Sequence, residues 1–306
     1  MLSPLSGTHN VTKLNVLSPQ EVAQRWMNQL GVNVGSEFKQ LSEIEYWRCN
    51  DTNLHWYLPK EAAGSGELYS QLEKFDWYYM PDKWEFKAAI DLLNQDDSVL
   101  EVGVGFGYFL EACRIQGIEI AGVELNPTAA ERARNKGFET FEDDLHALAE
   151  RMGTVKFDVI CSFQVLEHVS EPGSFFEGML RNLKTGGRLI LSVPNAAVMR
   201  RIDPNNENLL NQPPHHISHW DIGVFRSLER YLSVKVRSVH HEPMASYHIN
   251  WIISSYLRNQ FSFLGRTATK VLFNHLTLYP IYLVARLGLR KWLPGHTLLV
   301  ELEKIG

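Results

Sequence analysis

The spacing of apolar and polar residues changes character at Ser98. From there, short apolar runs alternate with segments of helical period. "SVLEVGVG" is a strand that runs into glycines, and "FGYFLEACRIQG" is a helix behind it. "IEIAGVEL" is a second strand and "NPTAAERARNKG" a second helix, with Asn126 as cap and Pro127 at its first position. "FETFEDD" and "FDVICSF" read as the third and fourth strands. "PGSFFEGMLRNLKTGG" reads as a helix that stops at its glycine pair, and "RLILSVPN" as the fifth strand. "WDIGVFRSLERYL" gives a further helix, "SVKVRSVHHEP" a sixth strand and "HTLLVELEK" a last one. This alternation with short connections predicts a doubly wound α/β fold, a parallel sheet covered on both faces.

Upstream the pattern is less regular. Residues 1–15 read as a frayed tail. "SPQEVAQRWMNQLG" is a short helix capped by Ser18, with Pro19 in its first turn and Gly31 at its end. "IEYWRCNDTNLHWYLPKEAAGSGELY" mixes aromatic and polar residues and reads as irregular structure or short strands. Residues 68–93 have helical period, interrupted near Pro81. Four segments follow: a helical and irregular N-terminal extension (1–80), a core (81–242), an apolar helical insertion or lid (243–295) and a final strand that returns to the core (296–306).

Composition bounds the function. A chain of 306 residues holds one large domain with additions, and 44% apolar with 21% charged residues is the balance of a soluble globular protein. Cys49, Cys113 and Cys161 are far apart and form no C-x-x-C, which excludes a zinc ribbon or a disulfide framework and suits a reducing cytoplasm. The N-terminus lacks the basic start and apolar run of a signal peptide.

The formal charge of −5 hides an asymmetry: no acid lies between Glu242 and Glu301, where Arg258, Arg266, Lys270, Arg286, Arg290 and Lys291 are found. Asn274, His275, Pro280 and Arg286 argue against a span. A helical hairpin packed as a lid is one reading. The other is a peripheral membrane contact through 250–293, at the inner membrane face, or a cradle for an anionic or lipid-linked substrate. The acidic whole and the apolar insertion exclude nucleic acid.

Gly103, Gly105 and Gly107 stand between the first strand and its helix, where bare backbone can turn sharply and meet a ligand. A nicotinamide-binding loop would carry its third glycine where Tyr108 stands. Glu124, at the end of the second strand, is placed to accept hydrogen bonds from two ribose hydroxyls. Asp143 or Asp144, at the end of the third, could meet an adenine amino group, with Leu145 against the ring.

Together "VLEVGVGFGYFLEA", "AGVEL", "EDDL", "FDVICSFQVLEHV" and "LKTGGRLILSVPN" resemble the successive motifs of class I S-adenosylmethionine-dependent methyltransferases. The likeness is nearest to bacterial small-molecule and sugar methyltransferases and covers residues 84–241, about half the chain. It implies a seven-stranded sheet whose last strand is antiparallel, with S-adenosyl-L-methionine as cofactor. By resemblance Gly103, Gly105 and Gly107 line the methionine and ribose part, and Glu101 sits near the ammonium. Glu124, with the adjoining Leu125, holds the ribose, and Asp144 and Leu145 hold adenine. Gln164 closes over the cofactor. Tyr79 and Trp84, from "FDWYYMPDKWEF", are candidates to lie above it. Glu167 and His168 read as packing and capping residues or as further contacts.

"NQPPHHISHW", residues 211–220, follows the fifth strand on the substrate side. "HHISHW" resembles the acid–histidine stretch of sugar methyltransferases, with His215 at the acid position. A neutral histidine suits removal of a hydroxyl proton. His216 is the leading base and His215 the second. His215 and His219 are spaced i, i+4, which on a helix would suit a metal, but no third ligand is evident and no metal is expected. "YWRCNDTNLHWYLP" resembles the remains of a zinc module in which only Cys49 persists, so no zinc is expected there either. The expected activity is O-methylation of a saccharide or other small metabolite. The alternatives are a nicotinamide-dependent oxidoreductase and a non-catalytic binding partner of the same fold.

Overall fold

The computed structural model describes residues 1–306, with Arg266 described by its backbone alone. Strand β1 (Val11–Leu17) precedes helix α1 (Pro19–Leu30). The Ser18 side chain accepts from the Glu21 N–H and Gly31 closes the helix in the left-handed region, so both expected caps are in place. Strands β2 (Ile44–Cys49) and β3 (His55–Leu58) and helices α2 (Gly66–Leu72) and α3 (Trp84–Ile90) complete the N-terminal part.

The α/β region then runs as β4 (Val99–Val102), α4 (Tyr108–Ile115), β5 (Ile120–Val123), α5 (Pro127–Asn135), β6 (Thr140–Phe141), α6 (Leu145–Met152), β7 (Phe157–Phe163), α7 (Pro172–Asn182) and β8 (Leu183–Pro194). Helix α8 (Ala196–Ile202), strand β9 (Ser218–His219), helix α9 (Ile222–Ser227) and strand β10 (Val234–Pro243) follow. Helices α10 (Ile249–Gln260), α11 (Arg266–Leu272) and α12 (Tyr279–Leu287) lead to the last strand, β11 (Pro294–Lys304).

Seven strands form one sheet in the order β10-β11-β8-β7-β4-β5-β6. β4, β5, β6, β7 and β8 are parallel, while β11 enters antiparallel between β8 and β10, with Thr297 opposite Pro194. The antiparallel last strand implied by the sequence resemblance is therefore present. Side chains alternate between two cores, as a strand buried on both faces requires. Leu100, Val102, Ile160, Leu189, Leu191 and Val300 face one core, and Val99, Val159, Cys161, Ile190 and Leu299 the other.

Three expectations change. The tail read as frayed supplies β1, whose residues pair with β2, and Leu5 is buried against the main core. The stretch read as irregular structure or short strands forms β2 and β3, and these join β1 in a four-stranded antiparallel sheet, β1-β2-β3-β9, which was not expected. Its fourth strand comes from the histidine segment, paired through His55↔His219 and Trp56↔Ser218, and that partner is far away in sequence. The helix read through the glycine pair ends at Asn182, because Leu183 already pairs with Phe157 of β7.

Candidate active site

The loop after β4 carries all three motif glycines at positive φ. Two of them are required by close approach. A Cβ on Gly103 would lie 2.4 Å from Val165 Cγ2, and one on Gly105 would lie 3.1 Å from the Tyr79 ring. Gly107 is the N-cap of α4. Tyr79 stacks on Phe106 at 4.4 Å between centroids, and the Arg132 guanidinium lies 4.9 Å from the Phe106 ring. Together with Tyr69, Glu73 and Asn126, these side chains line a cavity of about 150 Å³ at the loop. Trp84 packs against the core on the Val99 face instead.

Glu124 ends β5 and accepts from the Gly105 N–H at 2.9 Å and the Asn126 N–H at 2.8 Å. Each oxygen keeps a lone pair for another donor. Leu125, beside it, is exposed. Asp144 caps α6, where one oxygen accepts from the His146 and Ala147 N–H groups, which holds its carboxyl below the usual range. Its other oxygen accepts no hydrogen bond among the described residues, whereas Asp143 turns away to pair with Arg151 at 2.8 Å. Leu145 is buried in the main core. Gln164 adopts φ +56, uncommon for a residue with a side chain, and bonds Ser192 through its own N–H and its side-chain amide. Glu101 is buried at the centre of β4, and its Oε2 has no hydrogen-bond partner among the described residues. Burial, with Glu124 nearby, raises its carboxyl well above the ordinary value.

The histidine segment is not helical. A cis peptide bond joins Pro213 to Pro214, and His219 lies in β9, so His215 and His219 do not share a helix face. His219 belongs to the scaffold: Nε2 lies 2.8 Å from the Asn211 carbonyl, and Nδ1 lies 2.9 Å from the Tyr46 hydroxyl, which also meets His55 Nδ1. His215 is likewise committed. Its Nδ1–H donates to the Leu210 carbonyl at 2.8 Å, and Nε2 accepts from the Tyr78 hydroxyl at 3.1 Å.

His216 stacks on His215 with ring centroids 4.3 Å apart and points Nδ1 at Asn211 Oδ1, 3.4 Å away. With the Nδ1 proton directed at that amide oxygen, the unprotonated nitrogen is Nε2. His168 donates Nδ1–H to the His215 carbonyl, and its ring lies 5.1 Å from that of His216.

Burial dominates the electrostatics here. It lowers His168 to about 3 and His215 to about 4, and holds His216 well below its ordinary value, with the neighbouring histidines adding to the effect. The same burial raises Glu167 to about 8, and neither of its oxygens has a hydrogen-bond partner among the described residues. Although Glu167 Oε1 is 3.9 Å from His168 Nε2, the contact joins two neutral groups at pH 7 rather than an ion pair. Side-chain nitrogens of His168, His215 and His216 lie within 4.8 Å of one another, close enough to share a cation, although both His215 nitrogens already have partners.

Sequence reasoning missed Tyr78, Asn211, Tyr46 and His55. Tyr78 sits inside the quoted aromatic stretch, but its contact with His215 spans 137 positions.

Residues 73–265 match the methyltransferase domain family. The chain belongs to this family. It is a class I S-adenosylmethionine-dependent methyltransferase, and S-adenosylmethionine is its cofactor. Relatives of this methyltransferase include two proteins named ubiquinone biosynthesis O-methyltransferase. The mitochondrial one of Dictyostelium discoideum is 23% identical over 202 residues, 58% of this chain and 61% of the relative. The one of Vibrio cholerae is 25% identical, over 64% of this chain and 66% of the relative. The chain thus spans just under two thirds of the length of these relatives. A SAM-dependent methyltransferase from Archaeoglobus fulgidus shares the fold, with a TM-score of 0.51 at 15% identity, covering 77% of this chain and all of that one.

The residues present fit the cofactor of the methyltransferase. The orphaned Glu101 oxygen can accept from a donor such as an ammonium. Both Glu124 oxygens and the second Asp144 oxygen retain acceptor capacity for hydroxyl and amino groups.

Proposed function

We propose that the protein methylates the oxygen of a hydroxyl on a small-molecule acceptor, and that His216 removes the hydroxyl's proton. The observation that carries this reading is the state of His216: a buried, neutral imidazole, with Nδ1 directed at Asn211 and Nε2 without a partner among the described residues. The name of the ubiquinone biosynthesis relatives also supports an oxygen acceptor.

When bound, S-adenosylmethionine supplies a methyl group activated by a sulfonium. The chain's own residues do the rest. Glu101, Glu124 and Asp144 would hold the cofactor by its ammonium, ribose and adenine, and Gln164 and Tyr79 would close over it. His216 Nε2 accepts the proton of the acceptor's hydroxyl as that oxygen is methylated, the methyl group being what the bound cofactor would supply. The proton then leaves to solvent. His215 is spent on Leu210 and Tyr78, so it positions the stacked His216 ring rather than taking the proton. Most of the rate comes from holding the partners in line at attack distance.

The acceptor in this reading is lipid-linked, either a saccharide or a hydroxylated ring of the kind the relatives' name implies. The protein works in the cytoplasm, at the inner face of the membrane. Transfer of a labelled methyl group to lipid-linked saccharides, free saccharides and polyprenylated phenols tests it. Label on a hydroxyl oxygen supports the reading, and label found only on nitrogen or carbon overturns it.

A further inference from the structure

We propose that helices α10–α12 form a docking surface for an anionic lipid bilayer. This deepens the reading of a lipid-linked acceptor, but it rests on surface chemistry that can be measured without methyl transfer.

The insertion leaves β10 at Pro243 and returns at Pro294, and these two residues face each other across the ladder. Thr297 of β11 lies opposite Pro194, the carboxyl end of β8. The insertion therefore rises from the edge of the sheet that carries the cofactor loops and the histidine segment. It is anchored by one small core, in which Ile249, Ile252, Leu278, Tyr282 and Ala285 pack on Met199 and Ile202 of α8.

That core uses only the inward side chains. Tyr282 and Ala285 of α12 are buried, while Ile281, Leu283, Val284 and Leu287 on the same helix are exposed. A helix that is apolar on both faces is stable in water only if something covers the outer one. Exposure is extreme at Phe263 (78%), Leu276 (83%), Leu287 (79%) and Trp292 (86%). An apolar groove lined by Leu264, Ala268, Val271 and Leu272 opens on the same insertion. Among the described residues no helix is long and apolar enough to cross a membrane, so the proposed contact is peripheral.

Charge selects the occupant. No carboxylate lies between Glu242 and Glu301, and Lys270, Arg286, Arg290 and Lys291 take part in no salt bridge among the described residues. Unpaired cations interleaved with exposed Trp and Leu complement an acidic lipid surface. A partner protein with an apolar groove would leave the cations without counter-charge, and a second copy of this chain would bring like charges together.

Co-sedimentation of the full chain with phosphatidylcholine vesicles, with and without phosphatidylglycerol, tests the surface. Binding is expected only to the anionic vesicles, and it should weaken as salt rises. Lys270→Ala with Lys291→Ala should weaken it roughly thirtyfold, at about one charge-worth of attraction per residue. Leu276→Ser with Trp292→Ser should weaken it at any salt. The lysine pair is exposed, so its effect is readable even if the apolar variant folds poorly. Equal binding to neutral vesicles, no binding at low salt, or a homodimer that the apolar variant converts to monomers would each overturn the proposal. Methyl transfer to a soluble hydroxyl acceptor without vesicle binding would refute the surface and leave the oxygen chemistry standing.

Discussion

The Gly105 N–H donates to Glu124 Oε2 at 2.9 Å, so one carboxylate latches the glycine loop after β4 to the end of β5. The same side chain accepts from the Asn126 N–H, which fixes the start of α5. Glu124→Ala removes the latch and, in the proposed reading, the contacts to the ribose. Hydrogen bonds to charged groups make this a loss of roughly ten- to a hundredfold in affinity for S-adenosylhomocysteine, read by calorimetry. Unchanged affinity would mean that the ribose lies elsewhere. Gly105→Ala should also weaken binding, because its Cβ would meet the Tyr79 ring at φ +53.

His216→Ala should keep cofactor affinity and lose turnover by a factor on the order of 10² to 10⁴. Asn211→Ala, which frees the Nδ1 side of the same ring, should lower turnover less, and cofactor affinity should again be unchanged. Full turnover in the His216 variant would reduce the segment to a packing loop.

Tyr78→Phe tests the support beneath His216. It leaves the buried His215 Nε2 without its donor, at a cost of about 1–3 kcal/mol of stability. A lowered unfolding temperature with cofactor affinity intact is the expected result.

The architecture was legible in the sequence because it depends on local chemistry. Ser18, Gly31 and Asn126 each cap a helix through contacts a few residues away, and the β4–β8 strands announce themselves as apolar runs between glycine-rich breaks. The second sheet was not legible. β9 is two residues long and pairs with β3 through His55↔His219 and Trp56↔Ser218, partners far away in sequence. For the same reason the spacing of His215 and His219 misled. The intervals of a helix mean nothing where a cis Pro213–Pro214 bond turns the chain and one of the two histidines joins a strand. The separate fates of three neighbouring histidines depend on Leu210, Asn211, Tyr78 and Tyr46, and those pairings exist only in the folded state.

Buried ionisable groups set the pH dependence of stability. His55 and His168 lie near 3, and His215, His219 and His296 near 4; His216 also lies well below the ordinary 6.5. The unfolded chain takes up these protons as pH falls through 6.5, and the folded chain does not. Their contribution is therefore complete above 6.5 and is lost as pH falls towards 4. Glu167, at about 8, and Glu101, also raised, act in the opposite direction. Folded, they keep a proton that the unfolded chain gives up above 4.5, so their contribution fades as pH rises. The six histidines outweigh the carboxyls below 6.5, and above it only the carboxyls remain. The cofactor-free protein should be most stable near pH 6.5. Denaturant midpoints measured from pH 5 to 8 check this, and a midpoint still rising at pH 8 would contradict it.

In the proposed reading, Glu101 links that profile to the cofactor. Without a cation beside it, the buried carboxyl holds its proton well above the ordinary range, and its Oε2 has no partner. An ammonium placed there favours the carboxylate, so binding of S-adenosylhomocysteine should release a proton at pH values below the raised pKa of Glu101. Calorimetry at pH 6 in buffers of different ionisation enthalpy reads this as an apparent binding enthalpy that changes with the buffer. Glu101→Gln keeps the shape and cannot ionise. It should abolish the buffer dependence and weaken binding, while leaving the cofactor-free protein as stable as before, because the neutral amide replaces a group that is already neutral. Buffer dependence that survives in the Gln variant would assign the proton to another group, with the Glu167–His168 pair the next to test.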